Sequence, residues 1–325
     1  MFHSEDLQLM PTRKSTVLTD GSASLFHFMA SDAVQSVEAP PVLLVPSMIN
    51  RWYVLDLTPG ASVAEAFVNG GFDTWLLDWG VPEEHDRYFT WADALKRLDR
   101  MVRRVRRETG AEKVTVLGYS MGATLAAVHA ALHPELYAGF VNVAGPIDFT
   151  DAGIPGRMTD ARWFNAQLIA EAGNVSQHQM QAGFFMLRPT QELLMQVNAA
   201  DRAHDAAYQR SHRAISAWAA DYIPFPGATY ATYISELYQQ NNLVHGRHQV
   251  LGRRVDLKAI TCPVLTVTAE HDTICPPRAS VALNDAVGAT HKTLLPVPGG
   301  HVSAVAGSQS SHTLYPALIE WASRT

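Results

Sequence analysis

The chain has 325 residues, of which 47% are hydrophobic and 17% are charged. This composition is typical of a folded globular protein and excludes a largely disordered chain. The formal net charge of -6 argues against an electrostatic nucleic-acid binder, because such proteins usually carry a basic face. The two cysteines, Cys262 and Cys275, are too few for a disulfide framework and match no common zinc spacing, so we expect reduced structural thiols.

The N-terminal segment carries Glu5 and Asp6 and has no long apolar run, which is unlike a secretory signal. A membrane-spanning helix needs about 20 consecutive apolar residues, and the sequence has no such stretch. We therefore expect a cytoplasmic protein without a membrane span.

Short apolar runs alternate with helical patterns from residue 41 onward, after a mixed segment that we assign as an N-terminal extension (residues 1–40). The runs predicted as buried strands are 42–45, 72–79, 114–117, 140–144, 263–268 and 292–297. The segments predicted as helices are 62–70, a long helix capped by Thr90, 121–132 and about 313–323.

Strands that are apolar throughout and alternate with helices predict an α/β fold, with a mostly parallel central sheet and helices on both faces. The alternation stops after Pro146 and resumes at residue 263. Residues 41–145 and 253–325 are predicted to form the core. Residues 146–252, rich in Met, Gln, Ala and aromatic side chains, are predicted to be a helical cap insertion over the active site.

The segment Gly118-Tyr119-Ser120-Met121-Gly122 has the form G-x-S-x-G, directly after a predicted strand and directly before a predicted helix. In that setting the serine occupies a strained turn, and the glycines on either side let strand and helix approach closely. The nearby helix N-terminus favours developing negative charge. The motif therefore predicts Ser120 as the nucleophile of an α/β-hydrolase fold.

A serine hydroxyl is a weak nucleophile and needs a general base, which in this fold follows an acidic residue along the chain. Asp272 follows the strand at 263–268, and His301 follows the strand at 292–297 after two glycines. Both lie at carboxyl ends of predicted parallel strands, where sites in open α/β sheets gather. We expect His301 to take the proton from Ser120 and Asp272 to orient the imidazole.

Other residues compete for these two roles. Glu270 comes too early in the turn, and Asp285 falls in a predicted helix, so both are weaker candidates than Asp272. The other histidines considered as the base are His129, His133, His271 and His312. None of them has the strand, loop and glycine setting of His301, and the first two are expected to pack on the helix after Ser120.

An oxyanion hole in such a site is built from two backbone N–H groups. One is expected from Met121, the residue after the nucleophile, and the other from the loop that follows the first core strand. Met48 is the candidate in that loop by position, with Ser47 and Ile49 as alternatives.

Several longer segments extend the pattern beyond these residues: INRWYVLDL at 49–57, FDTWLLDWG at 72–80, RPTQ at 188–191, YQQNN at 238–242, GRRVDL at 252–257 and PGGH at 298–301. Through them the chain resembles polyhydroxyalkanoate synthases, particularly the short class III catalytic subunits, over about residues 40–325. The resemblance implies that Asp272 and His301 are the catalytic acid and base. It also implies that Ser120 stands where the synthases use cysteine, and that a homodimer is formed.

An acyl group held on serine is an ordinary ester. The favourable free energy of transfer from a thioester to a hydroxyl, which promotes polymer growth, is therefore lost. The sequence therefore favours a serine hydrolase of short or medium acyl esters or hydroxyalkanoate esters, with a small-molecule substrate and no cofactor or metal. The alternative is an acyltransferase of the synthase type, or a thioesterase acting on hydroxyacyl-CoA. A third hypothesis is a weakly active partner subunit or granule-associated binder. Candidates to line an acyl pocket are Met180, Phe184, Phe185, Met186, Tyr222 and Tyr230.

Overall fold

The computed structural model describes residues 7–187, 197 and 199–325. Its centre is an eight-stranded sheet with the order β1-β2-β4-β3-β5-β6-β7-β8. The strands are β1 Lys14–Asp20, β2 Ala23–Phe28, β3 Val42–Val45, β4 Thr74–Asp78, β5 Val114–Tyr119, β6 Tyr137–Val143, β7 Val264–Ala269 and β8 Lys292–Val297. Strands β3 to β8 pair in parallel, whereas β1 pairs with β2 and β2 with β4 in antiparallel fashion.

Helices cover both faces of this sheet, as the sequence predicts. The α-helices are α1 Val63–Asn69, α2 Trp91–Thr109, α3 Met121–Leu132, α4 Gly153–Met158, α5 Ala166–Glu171, α6 Gln177–Leu187, α7 Ala206–Ala220, α8 Gly227–Thr232, α9 Pro277–Ala286, α10 Ser303–Ala306 and α11 Leu314–Ala322. One hydrophobic core lies under α2, α3 and α9, and a second lies under α1, α10 and α11. This arrangement confirms the predicted α/β-hydrolase fold.

Smaller elements complete the described chain. The 3₁₀ turns are Trp52–Leu55, Glu84–Tyr88, Pro134–Leu136 and Leu257–Ala259, and a π-helical turn spans Tyr233–Gln239. Two short antiparallel ribbons pair Asp56–Thr58 with Ala61–Ser62 and Gln249–Val250 with Arg253–Arg254. Among the residues described, no helix combines the length and the apolar character needed to cross a membrane.

The central strands are apolar throughout because both of their faces are covered. Every residue of β3, β5 and β7 is buried. Strand β8 is the last strand of the sheet and is largely exposed except for Val297. The carboxyl ends of β5, β7 and β8 meet along one edge, and the loops at that edge carry the predicted site residues.

Residues between β6 and β7 form helices α4 to α8 and the π-helical turn, and they are tied to the loop after β3. The Trp218 indole donates to the carbonyl of Arg51 at 2.9 Å, and the Tyr53 hydroxyl donates to Asp221 at 2.8 Å. Asn50 and Tyr222 form an isolated β-bridge. The segment at 188–191, which carries part of the family resemblance, lies outside the described residues.

Candidate active site

Ser120 occupies the turn between β5 and α3 with a φ of 55°, a left-handed conformation that is uncommon for a residue with a side chain. The two motif glycines make this turn possible. A Cβ on Gly118 would lie 2.3 Å from the Cα of Ala123, and a Cβ on Gly122 would lie 2.2 Å from the carbonyl oxygen of Val45. The turn therefore packs against its own helix and against β3, and any larger residue at either position would force these backbones apart.

The structure brings the three predicted triad residues together in one hydrogen-bonded chain. Nε2 of His301 lies 2.9 Å from Oγ of Ser120, and Nδ1 of His301 lies 2.6 Å from Oδ2 of Asp272. Asp272 and His301 are buried, while Ser120 is partly exposed. A partly exposed hydroxyl beside a buried imidazole is accessible to a substrate carbonyl while its base is shielded from water.

Backbone N–H groups orient the Asp272 carboxylate. Its Oδ1 accepts hydrogen bonds from the N–H groups of Ile274 at 2.8 Å and Cys275 at 2.9 Å, which leaves Oδ2 for His301. These bonds fix the carboxylate in the orientation in which Oδ2 faces the imidazole.

Tyr119 supports the histidine loop, a role that the sequence analysis missed. Its hydroxyl donates to the carbonyl of His301 at 3.1 Å, and its ring lies 5.3 Å from the imidazole. Burial, with a smaller contribution from the Asp272 charge, raises the pKa of the Tyr119 hydroxyl well above its usual value, so the group stays a donor. Gly299 has a φ of 101°, which lets the loop turn back toward β5.

The competing candidates do not take part in the hydrogen bonds that join Ser120, His301 and Asp272. Glu270, Asp285, His271 and His312 are exposed. His129 is buried in α3, as expected from its sequence position, and lies 2.8 Å from the Tyr137 hydroxyl through its Nδ1.

Neither cysteine is in a position or ionisation state to replace the serine. Burial raises the pKa of the Cys262 thiol to about 11 and that of Cys275 still further. Both cysteines are free thiols. A protonated, buried thiol is a poor nucleophile, which leaves Ser120 as the nucleophile candidate at this site.

The loop after β3 lies against the Ser120 turn. The Trp79 indole donates to the carbonyl of Pro46 at 2.9 Å, and that same carbonyl would lie 2.4 Å from a Cβ on Gly122. Met121 and Met48 are both buried. The N–H of Met121 heads α3 and so has no acceptor within the helix. Their role as the oxyanion hole stays a prediction.

The proposed acyl-pocket residues differ in their surroundings. Met180 and Tyr230 pack against the hydrophobic core, and Phe184 contacts Tyr222 with ring centroids 6.1 Å apart. Phe185 and Met186 are 51% and 63% exposed, so they do not form part of a closed pocket in this conformation.

Comparison with protein families gives two matches. A model of the α/β-hydrolase fold matches residues 40–307, and a model described as the N-terminus of poly-beta-hydroxybutyrate polymerase (PhaC) matches residues 12–67.

Similar proteins include two poly(3-hydroxyalkanoate) polymerase subunits PhaC. The protein from Haloferax mediterranei is 30% identical over 314 residues, covering 95% of this chain and 63% of that protein. The protein from Allochromatium vinosum is 28% identical over 326 residues, covering 99% of this chain and 91% of that protein. The chain therefore spans less than two thirds of the Haloferax protein and most of the Allochromatium protein. These matches bear out the resemblance found in the sequence.

Similar solved structures are named as lipases. The monoacylglycerol lipase of Paleococcus ferrophilus has a TM-score of 0.59 at 17% identity, covering 90% of this chain and 96% of that chain. A lipase-like protein from Sulfolobus solfataricus has a TM-score of 0.63 at 15% identity, covering 96% and 93%. At this identity the likeness supports the fold alone.

Proposed function

Because the chain belongs to the α/β-hydrolase fold family, we propose that it is an acyl-transfer enzyme that works through an acyl-enzyme on Ser120. The observation that carries this proposal is the contact between Oγ of Ser120 and Nε2 of His301 at 2.9 Å, on a strained turn that exposes the hydroxyl. A serine in hydrogen-bond contact with an oriented imidazole is the arrangement that acyl transfer needs.

The reaction follows from the positions of these groups. His301 accepts the proton of Ser120 at Nε2 as Oγ attacks the acyl carbonyl carbon, and Asp272 stabilises the resulting imidazolium through Nδ1. The negative charge on the carbonyl oxygen is assigned to the N–H groups of Met121 and Met48. When the tetrahedral intermediate collapses, His301 returns the proton to the leaving thiolate or alkoxide. A second hydroxyl or a water molecule then releases the acyl group by the same steps.

The substrate class that we propose first is a hydroxyacyl thioester, with transfer of the acyl group to another hydroxyl group. Support comes from the polymerase subunit of Allochromatium vinosum, because the similarity to it runs through 99% of this chain, including the residues between β6 and β7. The match of residues 12–67 to the N-terminus of a polymerase family points the same way.

Ester hydrolysis is the second candidate, and the oxygen nucleophile is what favours it. An acyl group on Ser120 is an oxygen ester, and its transfer to another hydroxyl is close to thermoneutral, whereas its hydrolysis is downhill. Transfer from a thioester to a hydroxyl is downhill, whereas transfer from an ester on serine is not. Water therefore competes more effectively with a hydroxyl for an acyl group on Ser120 than for one held as a thioester. The sequence alone favours this hydrolase over the transferase, and similarity to the polymerases reverses that order.

Incubation with 3-hydroxybutyryl-CoA distinguishes these outcomes when thiol release and acyl products are followed together. Thiol release with oligomers of hydroxybutyrate supports the transferase, and thiol release with free monomeric acid supports the hydrolase. We expect Ser120→Ala to lower kcat/KM by about 10³-fold or more, while Ser308→Ala, at an exposed serine of another loop, leaves it unchanged. Absence of turnover on both this thioester and p-nitrophenyl butyrate would refute the proposed function.

A further inference from the structure

A second cluster of ionisable side chains lies at the end of α3 that is far from Ser120. His129 and His133 are four residues apart at this end, which places both imidazoles on one side of the helix. Asp99 faces them from the neighbouring helix α2. One donor atom from each of the three residues lies within 4.8 Å of the other two.

Polar groups lie next to both histidine rings. Nδ1 of His129 lies 2.8 Å from the Tyr137 hydroxyl, which is itself 3.3 Å from the carbonyl oxygen of Ala126 and can therefore accept a proton from Nδ1. Nε2 of His129 faces the Asp99 carboxylate at 3.3 Å. With the proton on Nδ1, Nε2 and the carboxylate oxygen can bind one cation together.

His133 has a similar environment. Its Nδ1 lies 3.5 Å from a carboxylate oxygen of Glu135, so with the proton on Nδ1 the other nitrogen, Nε2, can bind a ligand. Histidines that bind metals commonly donate their second N–H to a carboxylate or another oxygen, because this fixes the ring and makes the ligating nitrogen more basic.

From this geometry we propose that Asp99, His129 and His133 bind a Zn²⁺ ion, with water as the fourth ligand. Two imidazole nitrogens and one carboxylate oxygen suit zinc better than magnesium or calcium, which prefer oxygen ligands. Bonds of about 2.0–2.2 Å in a tetrahedral site place the donors about 3.4 Å apart. Zinc binding therefore requires the three donors, which lie within 4.8 Å of one another, to move closer together.

Arg103 competes with the metal for Asp99. Its Nε lies 2.9 Å from both carboxylate oxygens of Asp99, and its side chain is 42% exposed. The guanidinium therefore has a route into water when a metal binds. We therefore expect that removal of the Arg103 guanidinium strengthens zinc binding.

The position of the cluster gives the ion a structural role rather than a catalytic one. Helix α3 begins directly after Ser120 and has 12 residues, so its ends are about 18 Å apart. Zinc at the far end links α2 to the helix that carries the nucleophile turn. We expect the bound ion to raise the unfolding temperature and to take no part in acyl transfer.

Calorimetric titration of tag-free, metal-stripped protein with ZnCl₂ tests the proposal. We expect one zinc ion per chain, and an affinity at least about 10-fold weaker in Asp99→Asn and His133→Ala. His312→Ala, at an exposed histidine remote in sequence, is the matched control and keeps the wild-type affinity. Cobalt in place of zinc is expected to give the visible absorption bands of a tetrahedral Co²⁺ site, and these bands are lost in His133→Ala.

Arg103→Gln is expected to change the zinc affinity in the opposite direction, because this variant should bind zinc more tightly than the wild type. This result separates loss of a ligand from loss of folding, since a merely destabilised protein does not gain affinity. Equal zinc affinity in the wild type, Asp99→Asn and His133→Ala would place the ion on other histidines and overturn the proposal. So would the absence of saturable binding to the wild-type protein, or unchanged affinity in Arg103→Gln.

Discussion

Gly122→Ala is expected to destabilise the protein strongly, because the new methyl group meets backbone atoms of two consecutive residues. Its Cβ would lie 2.2 Å from the carbonyl oxygen of Val45 and 2.4 Å from that of Pro46, against a practical minimum of 3.0 Å. The difference between 3.0 and 2.2 Å means that β3 or α3 has to move by about 0.8 Å. Val45 pairs with Gly118 inside the sheet, and the carbonyl of Pro46 holds Trp79, so neither group moves freely.

Overpacking of a core costs about 1–3 kcal/mol and more where rigid backbone is involved. We expect a loss of about 3 kcal/mol or more for Gly122→Ala. Gly183→Ala is the matched control, because Gly183 lies in α6 and, among the described residues, none outside its own helix backbone and chain neighbours comes within 4 Å of an added Cβ. That variant is expected to gain about 0.4–1 kcal/mol through the lower entropy of the unfolded chain.

Urea unfolding followed by tryptophan fluorescence measures both variants against the wild type. The reasoning is refuted if Gly122→Ala unfolds within about 0.5 kcal/mol of the wild type, the range typical of neutral surface substitutions. A destabilised Gly122→Ala that keeps full acyl-transfer activity would contradict a different step, namely the assignment of Met48 beside this turn to the oxyanion hole.

Three further variants test the site and its surroundings. Asp272→Asn is expected to lower kcat by about 10⁴-fold at pH 7, because an amide does not enforce the required tautomer of His301; esterase assays within 10-fold of the wild type would contradict the proposed role. Tyr119→Phe leaves the carbonyl of His301 without its donor and is expected to cost about 1 kcal/mol in urea unfolding, and an unchanged midpoint would argue against this support. Burial raises the pKa of Asp56 above its usual 3.8, and its Oδ2 has no hydrogen-bond partner in the part of the chain that is described. The folded state thus holds this proton more tightly than the unfolded state, so stability falls as pH rises from about 4 through the folded pKa. Asp56→Asn removes this loss and is expected to be more stable relative to the wild type at pH 7 than at pH 4; equal differences at the two pH values would refute the assignment.

The parallel core could be predicted from the sequence because its strands are buried on both faces and are therefore apolar throughout. The strands β3, β5 and β7 agree with the predicted runs to within two residues at each end. The G-x-S-x-G turn could also be predicted, because close backbone approach at Gly118 and Gly122 leaves glycine as the residue that fits. Gly299, before His301, has a φ of 101°, which likewise favours glycine.

The sequence analysis does not predict the antiparallel strands β1 and β2, although the turn between them carries a recognisable pattern. Gly21-Ser22 separates two runs that contain β-branched and aromatic residues, and Gly21 has a φ of 62°. A two-residue Gly-Ser loop at that place is typical of a hairpin. These strands were obscured because each run is only partly buried and its apolar residues do not form a continuous block.

Contacts between distant segments were beyond sequence reasoning. Asp99 meets His129 because α2 packs against α3, and Tyr119 reaches the carbonyl of His301 because β5 and the loop after β8 share one sheet edge. No local pattern encodes either pairing. The oxyanion hole is even harder to predict from the sequence, because its donors are backbone N–H groups, which any residue other than proline can supply.

Transfer and hydrolysis share one acyl-enzyme, so the triad itself does not decide between them. An ester on Ser120 and the ester formed by transfer to another hydroxyl have similar free energies, and the product is therefore set by which nucleophile reaches the carbonyl. The residues between β6 and β7 are fixed to the loop after β3 by the Trp218 and Tyr53 hydrogen bonds. That loop lies beside the Ser120 turn through the carbonyl of Pro46. We therefore expect water access past this insertion, as well as the nucleophile, to determine whether the proposed acyl-enzyme is hydrolysed or transfers its acyl group to a hydroxyl.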